Sequence, residues 1–188
     1  MKETPDTDET LANLASLGNR AAFETIVRRH KASIFAFVRR YVGQADDAND
    51  VLQEAFLAAW LALNRYDPLR PFLPWLRTIA LNKCRDYGRR QRVRRLLLLA
   101  KAAEPVEAAS AEIQSEDMAE AERLNRLDAA IAALPPFYKE PFLLTSISGL
   151  SHQEAAELLK TTAKAIEMRI RRARTKLETN LRESGGEG

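Results

Sequence analysis

The chain has 188 residues, of which 46% are hydrophobic and 29% are charged, and its formal net charge is +3. This composition supports a buried core and excludes a globally disordered protein, while 7 glycines and 8 prolines argue against a loop-rich β protein. A single cysteine excludes an internal disulfide framework, and one cysteine with two histidines gives no reason to expect a metal or another cofactor. The polar, acidic N-terminus and the absence of a long apolar run predict a cytoplasmic, mostly helical protein without a signal peptide or membrane insertion.

The first half of the sequence predicts three helices. Residues 1–18 lack hydrophobic periodicity and are predicted to form a disordered tail. Apolar side chains recur at helical spacing over residues 19–41, and two aspartates are placed to begin a second helix over residues 46–66. Three prolines then predict an irregular loop, after which a third helix from residue 75 merges into an arginine-rich run that ends near residue 95.

A change of composition separates this part from a second unit. Residues 96–121 show no sustained apolar stripe and are rich in acidic residues, so they are predicted to be a flexible linker. Helical periodicity returns over residues 122–182, interrupted by Pro135–Pro136, and residues 183–188 are predicted to be a disordered tail. The expected fold is therefore all-α, with two small helical domains, at 19–95 and 122–182, joined by a flexible acidic linker.

The strongest local pattern lies near the end of the second unit. Ser151 and Glu154 predict a capping box, and a short turn after residue 159 places Thr162 as the cap of a further helix. That helix has an apolar stripe on one side and Arg-rich faces elsewhere. Two short helices around a three-residue turn, the second rich in arginine, are typical of a helix-turn-helix, although a plain helical hairpin has the same apolar periodicity.

Positive charge is concentrated in two segments. Residues 70–101 carry ten cations against the single anion Asp86, and residues 164–182 carry seven cations against two anions. Two basic helical segments separated by an acidic tether indicate two contacts with a polyanion. A solvated, charged helix remains the alternative for either segment alone.

Longer motifs in both units resemble those of bacterial sigma factors. The segment from Leu150 to Leu177 resembles sigma region 4, and the segment from Asp47 to Trp60 resembles the region 2 pattern D-A-x-D-x-x-Q-E-x-F-x-x-A-W. The segment from Phe72 to Asn82, followed by Asp86 and the arginine run, is similar to the promoter-contacting end of region 2. A short linker leaves no room for a region 3 domain, which is the arrangement of the extracytoplasmic-function (ECF) sigma factors.

The resemblance implies a subunit that binds core RNA polymerase, through the β′ coiled coil and the β flap, and directs initiation at promoters while catalysing nothing itself. The residues that match the coiled-coil contact are Asp50, Gln53 and Glu54, whose spacing puts them on one helix face. Asp47 and Asp50 could instead only favour the start of that helix. The resemblance also implies control by an anti-sigma factor. Within polymerase, the acidic linker could thread a basic channel, or it could be a solubilising spacer.

The resemblance further implies two sets of promoter contacts. The set that opens and reads the −10 element comprises Arg65, Tyr66, Arg70, Phe72, Asn82, Arg85, Asp86, Arg89 and Arg90. The set that meets the −35 element comprises Thr162, Lys164, Glu167, Met168, Arg171, Arg172 and Arg174. Phe72 is equally explained as a core anchor of the loop, and for Trp75 the role of core anchor is favoured. Leu81 and Lys160 depart from the family pattern, and a left-handed Lys160 costs roughly 1 kcal/mol.

Two other classes of function can be compared with this one. An ordinary helix-turn-helix regulator would bind operator DNA tightly without polymerase, whereas a free ECF factor is expected to bind duplex promoter weakly. A nucleic-acid-modifying enzyme would need convergent carboxylates or a metal cluster, but the acidic residues here lie at helix starts and in the linker. Cys84 lies on the apolar side of its helix and is expected to be a core residue.

Overall fold

The computed structural model describes residues 7–101 and 116–185, and over these residues the predicted all-α fold is confirmed. A 3₁₀ helix at Leu63–Arg65 follows the third of the α-helices. The α-helices are α1 (Asp8–Ser16), α2 (Arg20–Val42), α3 (Ala45–Ala62), α4 (Phe72–Lys101), α5 (Glu116–Ala133), α6 (Pro136–Ser146), α7 (His152–Leu159) and α8 (Ala163–Gly185).

Helix α1 lies where the sequence predicts a disordered tail. Its N-terminus is capped by Thr7, whose hydroxyl accepts a hydrogen bond from the backbone N–H of Thr10 at 3.2 Å. Leu11, Ala12 and Ala15 are buried against the first domain. Three apolar residues, two of them alanines, make too short a stripe to be recognised in the sequence, so the predicted disorder over residues 8–16 is wrong. Residues 1–6 of that tail lie outside the described residues.

The first domain packs α2 against α3 and α4. Its core contains Ile26 and Phe37 from α2, Val51 from α3, and Leu76 and Cys84 from α4, all at most 2% exposed. Helix α4 begins three residues before the predicted start, so that Pro74 lies in its first turn. A proline is tolerated there because the backbone N–H groups of the first turn have no hydrogen-bond partner within the helix. It also continues through the first residues of the predicted linker, since the backbone is helical to residue 101.

The second domain comprises α5 to α8. Ile131, Leu143 and Ile166 are fully or almost fully buried between its helices, whereas Leu124 on α5 is exposed. Helix α5 begins before the predicted boundary at 122, so of the predicted linker only residues 102–115 lie outside the described residues. Helix α8 likewise extends over 183–185 of the predicted tail, and residues 186–188 lie outside the described residues.

The helix-turn-helix has the caps that the sequence predicts. The Ser151 hydroxyl accepts from the Glu154 N–H at 3.2 Å, and the Glu154 carboxylate accepts from the Ser151 N–H at 2.8 Å. Lys160 ends α7 in the left-handed region with φ of 52°. Thr162 accepts from the N–H of Ala165 at 3.2 Å and begins α8. Both helices, the short α7 and the longer α8, are therefore fixed by local hydrogen bonds at their starts.

The two domains lie against each other in this structure. The C-terminal half of α2 packs on α5 and α6, so the second domain covers part of the first. Gly43, which follows α2 with φ of +92°, approaches α5 so closely that an added Cβ would lie 2.7 Å from the Cβ of Ala132. None of the helices in the described part of the chain is long and apolar enough to cross a membrane.

Candidate nucleic-acid interface

The three residues expected to contact polymerase share an exposed face of α3. Asp50 and Gln53 are exposed, and Glu54 is half-buried because its carboxylate accepts from Arg90 on α4 at 3.0 Å. Their spacing therefore does bring carboxylate and amide groups together, as predicted. Leu57 and Leu61 follow Gln53 at four-residue intervals and are 59% and 70% exposed, so the same face continues as an apolar strip. That strip is readable in the sequence, since both leucines interrupt a face that is otherwise polar.

Asp47 has a different environment from Asp50. Its carboxylate accepts a hydrogen bond from the Tyr87 hydroxyl at 2.7 Å, which joins α3 to α4. Burial and this hydrogen bond raise the pKa of Tyr87 to about 12. Asp47 is thus part of the contact between two helices, while Asp50 is available on the surface.

The loop before α4 rests on a cluster of aromatic side chains. Tyr66 is 9% exposed and its ring packs edge-on against Phe72, with centroids 5.3 Å apart, while Trp75 lies 5.2 Å from Tyr66. Phe72 is completely buried, and its backbone N–H donates to Glu9 of α1 at 3.0 Å. Burial raises the pKa of Tyr66 to about 12. Tyr66 and Phe72 therefore offer no ring face to a nucleotide base here, and the alternative of a core anchor fits the burial of Phe72.

The exposed side of this loop is formed by other residues. Leu69 is 93% exposed at the tip, and its N–H donates to the Asp67 carboxylate at 3.0 Å, which fixes the turn. Arg65 is exposed, and Arg70 is exposed beside Asp67, with a separation of 3.4 Å. The loop thus presents one apolar side chain between cations. Leu69 is absent from the predicted set, although an apolar residue between Pro68 and Arg70 is a visible signal.

Helix α4 carries the remaining −10 candidates, and three of its arginines are paired with carboxylates. Arg89 pairs with Asp86 one turn earlier, and Arg90 pairs with Glu54. Arg85 makes a bidentate pair with Glu140 of the second domain, at 2.8 and 2.5 Å, and this hydrogen bonding raises the pKa of Arg85. Asn82 is exposed beside Arg85, whose Nη1 lies 3.4 Å from its side-chain oxygen. The spacing of these residues in the sequence predicts that they share a face of α4. It does not predict which carboxylates pair with the arginines on that face.

The −35 candidates are exposed on α8. Lys164, Glu167, Met168, Arg171 and Arg174 line one open groove, which His152 of α7 also borders. Thr162 lies at the start of the same helix as its cap, and Arg172 is exposed outside the groove.

Arg169, on another side of α8, lies over the ring of Phe137 at 4.0 Å from its centroid. This cation therefore stabilises the packing of α8 on α6. Among the residues that the structure describes, no group of three or more His, Cys, Asp or Glu side chains is placed to hold a metal ion.

Comparison with known families matches both domains. The family described as Sigma-70 region 2 matches residues 26–94, and the family described as Sigma-70, region 4 matches residues 124–177.

Similar proteins extend over nearly the whole chain. RNA polymerase sigma factor NccH of Alcaligenes xylosoxydans xylosoxydans is 39% identical, over 96% of this chain and 97% of NccH. RNA polymerase sigma factor CnrH of Cupriavidus metallidurans is 40% identical, over 94% of this chain and 95% of CnrH. The ECF RNA polymerase sigma-E factor of Escherichia coli K12 is 30% identical, over 93% of this chain and 94% of that protein. The structure of CnrH in complex with the cytosolic domain of CnrY has a TM-score of 0.68 and covers 93% of this chain and 96% of that one.

Proposed function

The chain belongs to the extracytoplasmic-function sigma factors of the sigma-70 family, and from this premise we propose how its own residues bind polymerase and promoter DNA. A sigma factor directs core RNA polymerase to promoters and starts transcription there. The observation that carries this function over an ordinary helix-turn-helix regulator is the region 2 match ahead of the helix-turn-helix. The chain acts in the cytoplasm as a binding subunit, and the catalysis belongs to the polymerase.

The exposed face of α3 is the proposed docking surface for the β′ coiled coil. Asp50 and Gln53 are exposed there, and Glu54 becomes available when Arg90 is drawn away. Carboxylates and amides suit a basic, arginine-bearing helix, because charge-assisted hydrogen bonds to guanidinium groups are strong and directional. The second domain is proposed to contact the β flap.

The loop before α4 and the exposed face of α4 are the proposed −10 surface. Arg65 and Arg70 flank the exposed Leu69, so phosphate contacts and an apolar contact with an unstacked base can form at one place. Tyr66 and Phe72 hold this loop from beneath. Asn82, Arg85, Asp86, Arg89 and Arg90 extend the surface along α4.

The groove side of α8 is the proposed −35 surface. Lys164, Glu167, Met168 and Arg171 lie near the start of α8, where a recognition helix presents its side chains to base edges in the major groove. Arg172, Arg174 and Thr162 are assigned to phosphates beside them.

Control by an anti-sigma factor is the last part of the proposal. CnrH, a relative with a solved structure, was determined in complex with the cytosolic domain of CnrY. Exposed apolar side chains flank the linker of this chain, with Leu96, Leu97 and Leu98 at the end of α4 and Leu124 near the start of α5. Such a group of exposed leucines marks a surface for a protein partner.

In vitro transcription tests the function directly. Purified protein is added to bacterial core polymerase on a pool of genomic promoter fragments, and transcript starts are mapped. Discrete new transcripts are expected, and the sequences upstream of them reveal the two promoter elements. Tight duplex binding by the chain alone, with no new transcript, would establish an ordinary regulator instead.

A matched pair of variants tests the polymerase surface by direct measurement of binding to core polymerase. Asp50→Asn removes a carboxylate from the proposed docking face, while Glu24→Gln removes one from an exposed position on α2. We expect Asp50→Asn to weaken binding to core polymerase and Glu24→Gln to leave it close to that of the unaltered protein. Equal binding by both variants contradicts the assignment of Asp50.

A further inference from the structure

Glu140 is a buried carboxylate between the two domains. It is 8% exposed and accepts hydrogen bonds from Nε and Nη2 of Arg85, at 2.8 and 2.5 Å, and from the Tyr41 hydroxyl at 3.3 Å. Arg85 and Tyr41 belong to the first domain and Glu140 to the second. Burial of Tyr41 and the nearby Glu140 carboxylate raise the pKa of the Tyr41 phenol. The contact that satisfies Glu140 therefore exists only while the domains lie together.

Lys139, the residue before Glu140, also crosses between the domains. Its ammonium donates to the carbonyl of Tyr41 at 3.1 Å and to the carbonyl of Ala132, and it lies 4.6 Å from the centroid of the Tyr41 ring. Both carbonyls belong to the last turn of a helix, α2 in one domain and α5 in the other. A cation stabilises helix C-termini, and this one serves two helices at once.

The edge of the contact is polar as well. Asp128 on α5 lies 3.5 Å from Arg40 and 4.0 Å from Arg39, and Arg39 also donates to Asn125 at 3.2 Å. When the domains separate, water can hydrate each of these side chains: Arg39, Arg40, Asp128 and Asn125. Interfaces between domains that move relative to each other have this polar character, unlike the apolar cores of permanent ones.

We propose that this closed arrangement is an autoinhibited state of the free chain, in which Glu140 on α6 holds Arg85 away from promoter DNA and opening of the domains releases it. The proposal rests on the proposed function, because it takes Arg85 as a −10 contact. A DNA phosphate cannot replace Glu140 while the carboxylate stays beside Arg85, since two anions at one guanidinium repel each other. Core polymerase, which engages the two domains at separate surfaces, shifts the chain to the open state.

The neighbouring cations on α4 differ from Arg85 in the domain to which their carboxylate partners belong. Arg89 and Arg90 pair with Asp86 and Glu54, which lie in their own domain. Opening the domains leaves both of these pairs intact. Among these three arginines of α4, domain opening therefore releases Arg85 alone, while Arg39 and Arg40 on α2 lose their pairing with Asp128.

The test compares three charge-neutralised variants of the full chain without polymerase. Glu140→Gln removes the partner of Arg85, Asp128→Asn weakens the edge of the interface without altering Arg85 or Glu140, and Glu24→Gln removes one charge from an exposed position on α2. The probe is a fluorescent, mixed-sequence single-stranded DNA, and affinity is measured over a range of salt concentrations. Small-angle X-ray scattering reports the opening, and circular dichroism confirms the helix content.

Glu140→Gln and Asp128→Asn are expected to have a larger radius of gyration than Glu24→Gln and a severalfold higher affinity for the probe. The slope of log affinity against log salt concentration should steepen by at least about 0.7, the value for the one phosphate contact that Arg85 adds on a single strand. If Glu140→Gln fails to fold, Asp128→Asn decides the outcome.

Three results would overturn the proposal: an open variant with unchanged affinity, variants that stay as compact as Glu24→Gln, or a gain in affinity that Glu24→Gln shares. None of these depends on transcription. A failure of the proposed function appears separately, as the absence of new transcripts with core polymerase. If the protein supports transcription but an open variant binds the probe no more tightly than the unaltered protein, the autoinhibition is refuted and the proposed function stands.

Discussion

Gly43 and Gly88 are two glycines with opposite structural roles. Gly43 has a φ of +92°, and a Cβ there would lie 2.7 Å from the Cβ of Ala132 across the interface. Gly88 lies inside α4, and a Cβ there would meet no atom within 4 Å. We expect Gly43→Ala to destabilise the protein by at least about 1 kcal/mol, through the left-handed backbone and the clash. Gly88→Ala should stabilise it by about 1 kcal/mol, because alanine favours helix.

Urea unfolding of both variants and the unaltered protein measures these changes. A midpoint for Gly43→Ala equal to that of the unaltered protein would contradict the close approach of α2 and α5. Gly88→Ala serves as the control for a general response to an added methyl group.

Cys84 illustrates a sequence prediction that the structure confirms. The thiol is fully buried on the inner side of α4, and burial raises its pKa well above the usual range. A buried, protonated thiol is a poor nucleophile, so we expect no reaction with a thiol reagent in the native protein and complete reaction in denaturant. Labelling followed by mass measurement checks this. Native labelling at the rate of an exposed cysteine would show that Cys84 is not a core residue.

At the scale of elements, α1 fixes the start of α4. The carboxylate of Glu9 accepts from the N–H of Phe72, one of the backbone donors that have no partner within α4. Glu9→Ala should destabilise the protein by about 1 kcal/mol, the usual cost of losing a cap. Asn13→Ala, at an exposed position on the same helix, is the control. Thermal unfolding measures both, and an equal loss from the two variants would show that the cap is unimportant.

The sequence predicts those elements whose signals are local. The caps at Ser151 and Thr162 and the apolar stripe of α8 depend on neighbours within a few residues, and all of them are confirmed. Helix α1 was not predictable in this way, because its stability comes from contacts with residues far along the chain. Asp8 pairs with Arg29 and His30, at 3.1 and 2.7 Å, and neither pairing leaves a trace in spacing.

The residues of the candidate site show the same difference: features set by local spacing were predictable, and contacts between distant parts of the chain were not. Helical spacing correctly placed Asp50 beside Gln53, and it placed five of the seven −35 candidates along one groove of α8: Lys164, Glu167, Met168, Arg171 and Arg174. It could not indicate that the ring of Phe72 is buried under the loop, since an aromatic residue suits a core and a base equally well. It also could not pair Arg85 with Glu140, because only the packing of the two domains brings them together.

For the whole molecule, the buried Lys139 predicts how stability depends on pH. Desolvation by burial lowers its pKa from 10.5 to about 8 in the folded protein. Between pH 7.5 and 9 the unfolded chain keeps the proton that the folded protein loses, so the unfolded state binds more protons and the free energy of unfolding rises with pH. The expected contribution of Lys139 is a rise of about 1 kcal/mol over this interval. The unfolded Cys84 thiol, whose ordinary pKa is 9.0, begins to ionise within the same interval while the folded one stays protonated, which opposes the rise and offsets part of it.

Denaturant unfolding at several pH values measures this dependence. Lys139→Met is the control, because a methionine of similar length cannot titrate. The rise between pH 7.5 and 9 should be absent from Lys139→Met. A rise of equal size in that variant would assign the effect to another group.

The order of residues in the Glu140–Arg85 pair has a consequence for newly made protein. Glu140 follows Arg85 by 55 residues, so a ribosome that adds about 5–20 residues per second adds Arg85 about 3–11 s before it adds Glu140. During that interval the nascent chain has α4 without its carboxylate from α6, beside the messenger RNA, which is itself a polyanion. The protection of Arg85 is therefore acquired late in synthesis, and a chain truncated before α6 never acquires it.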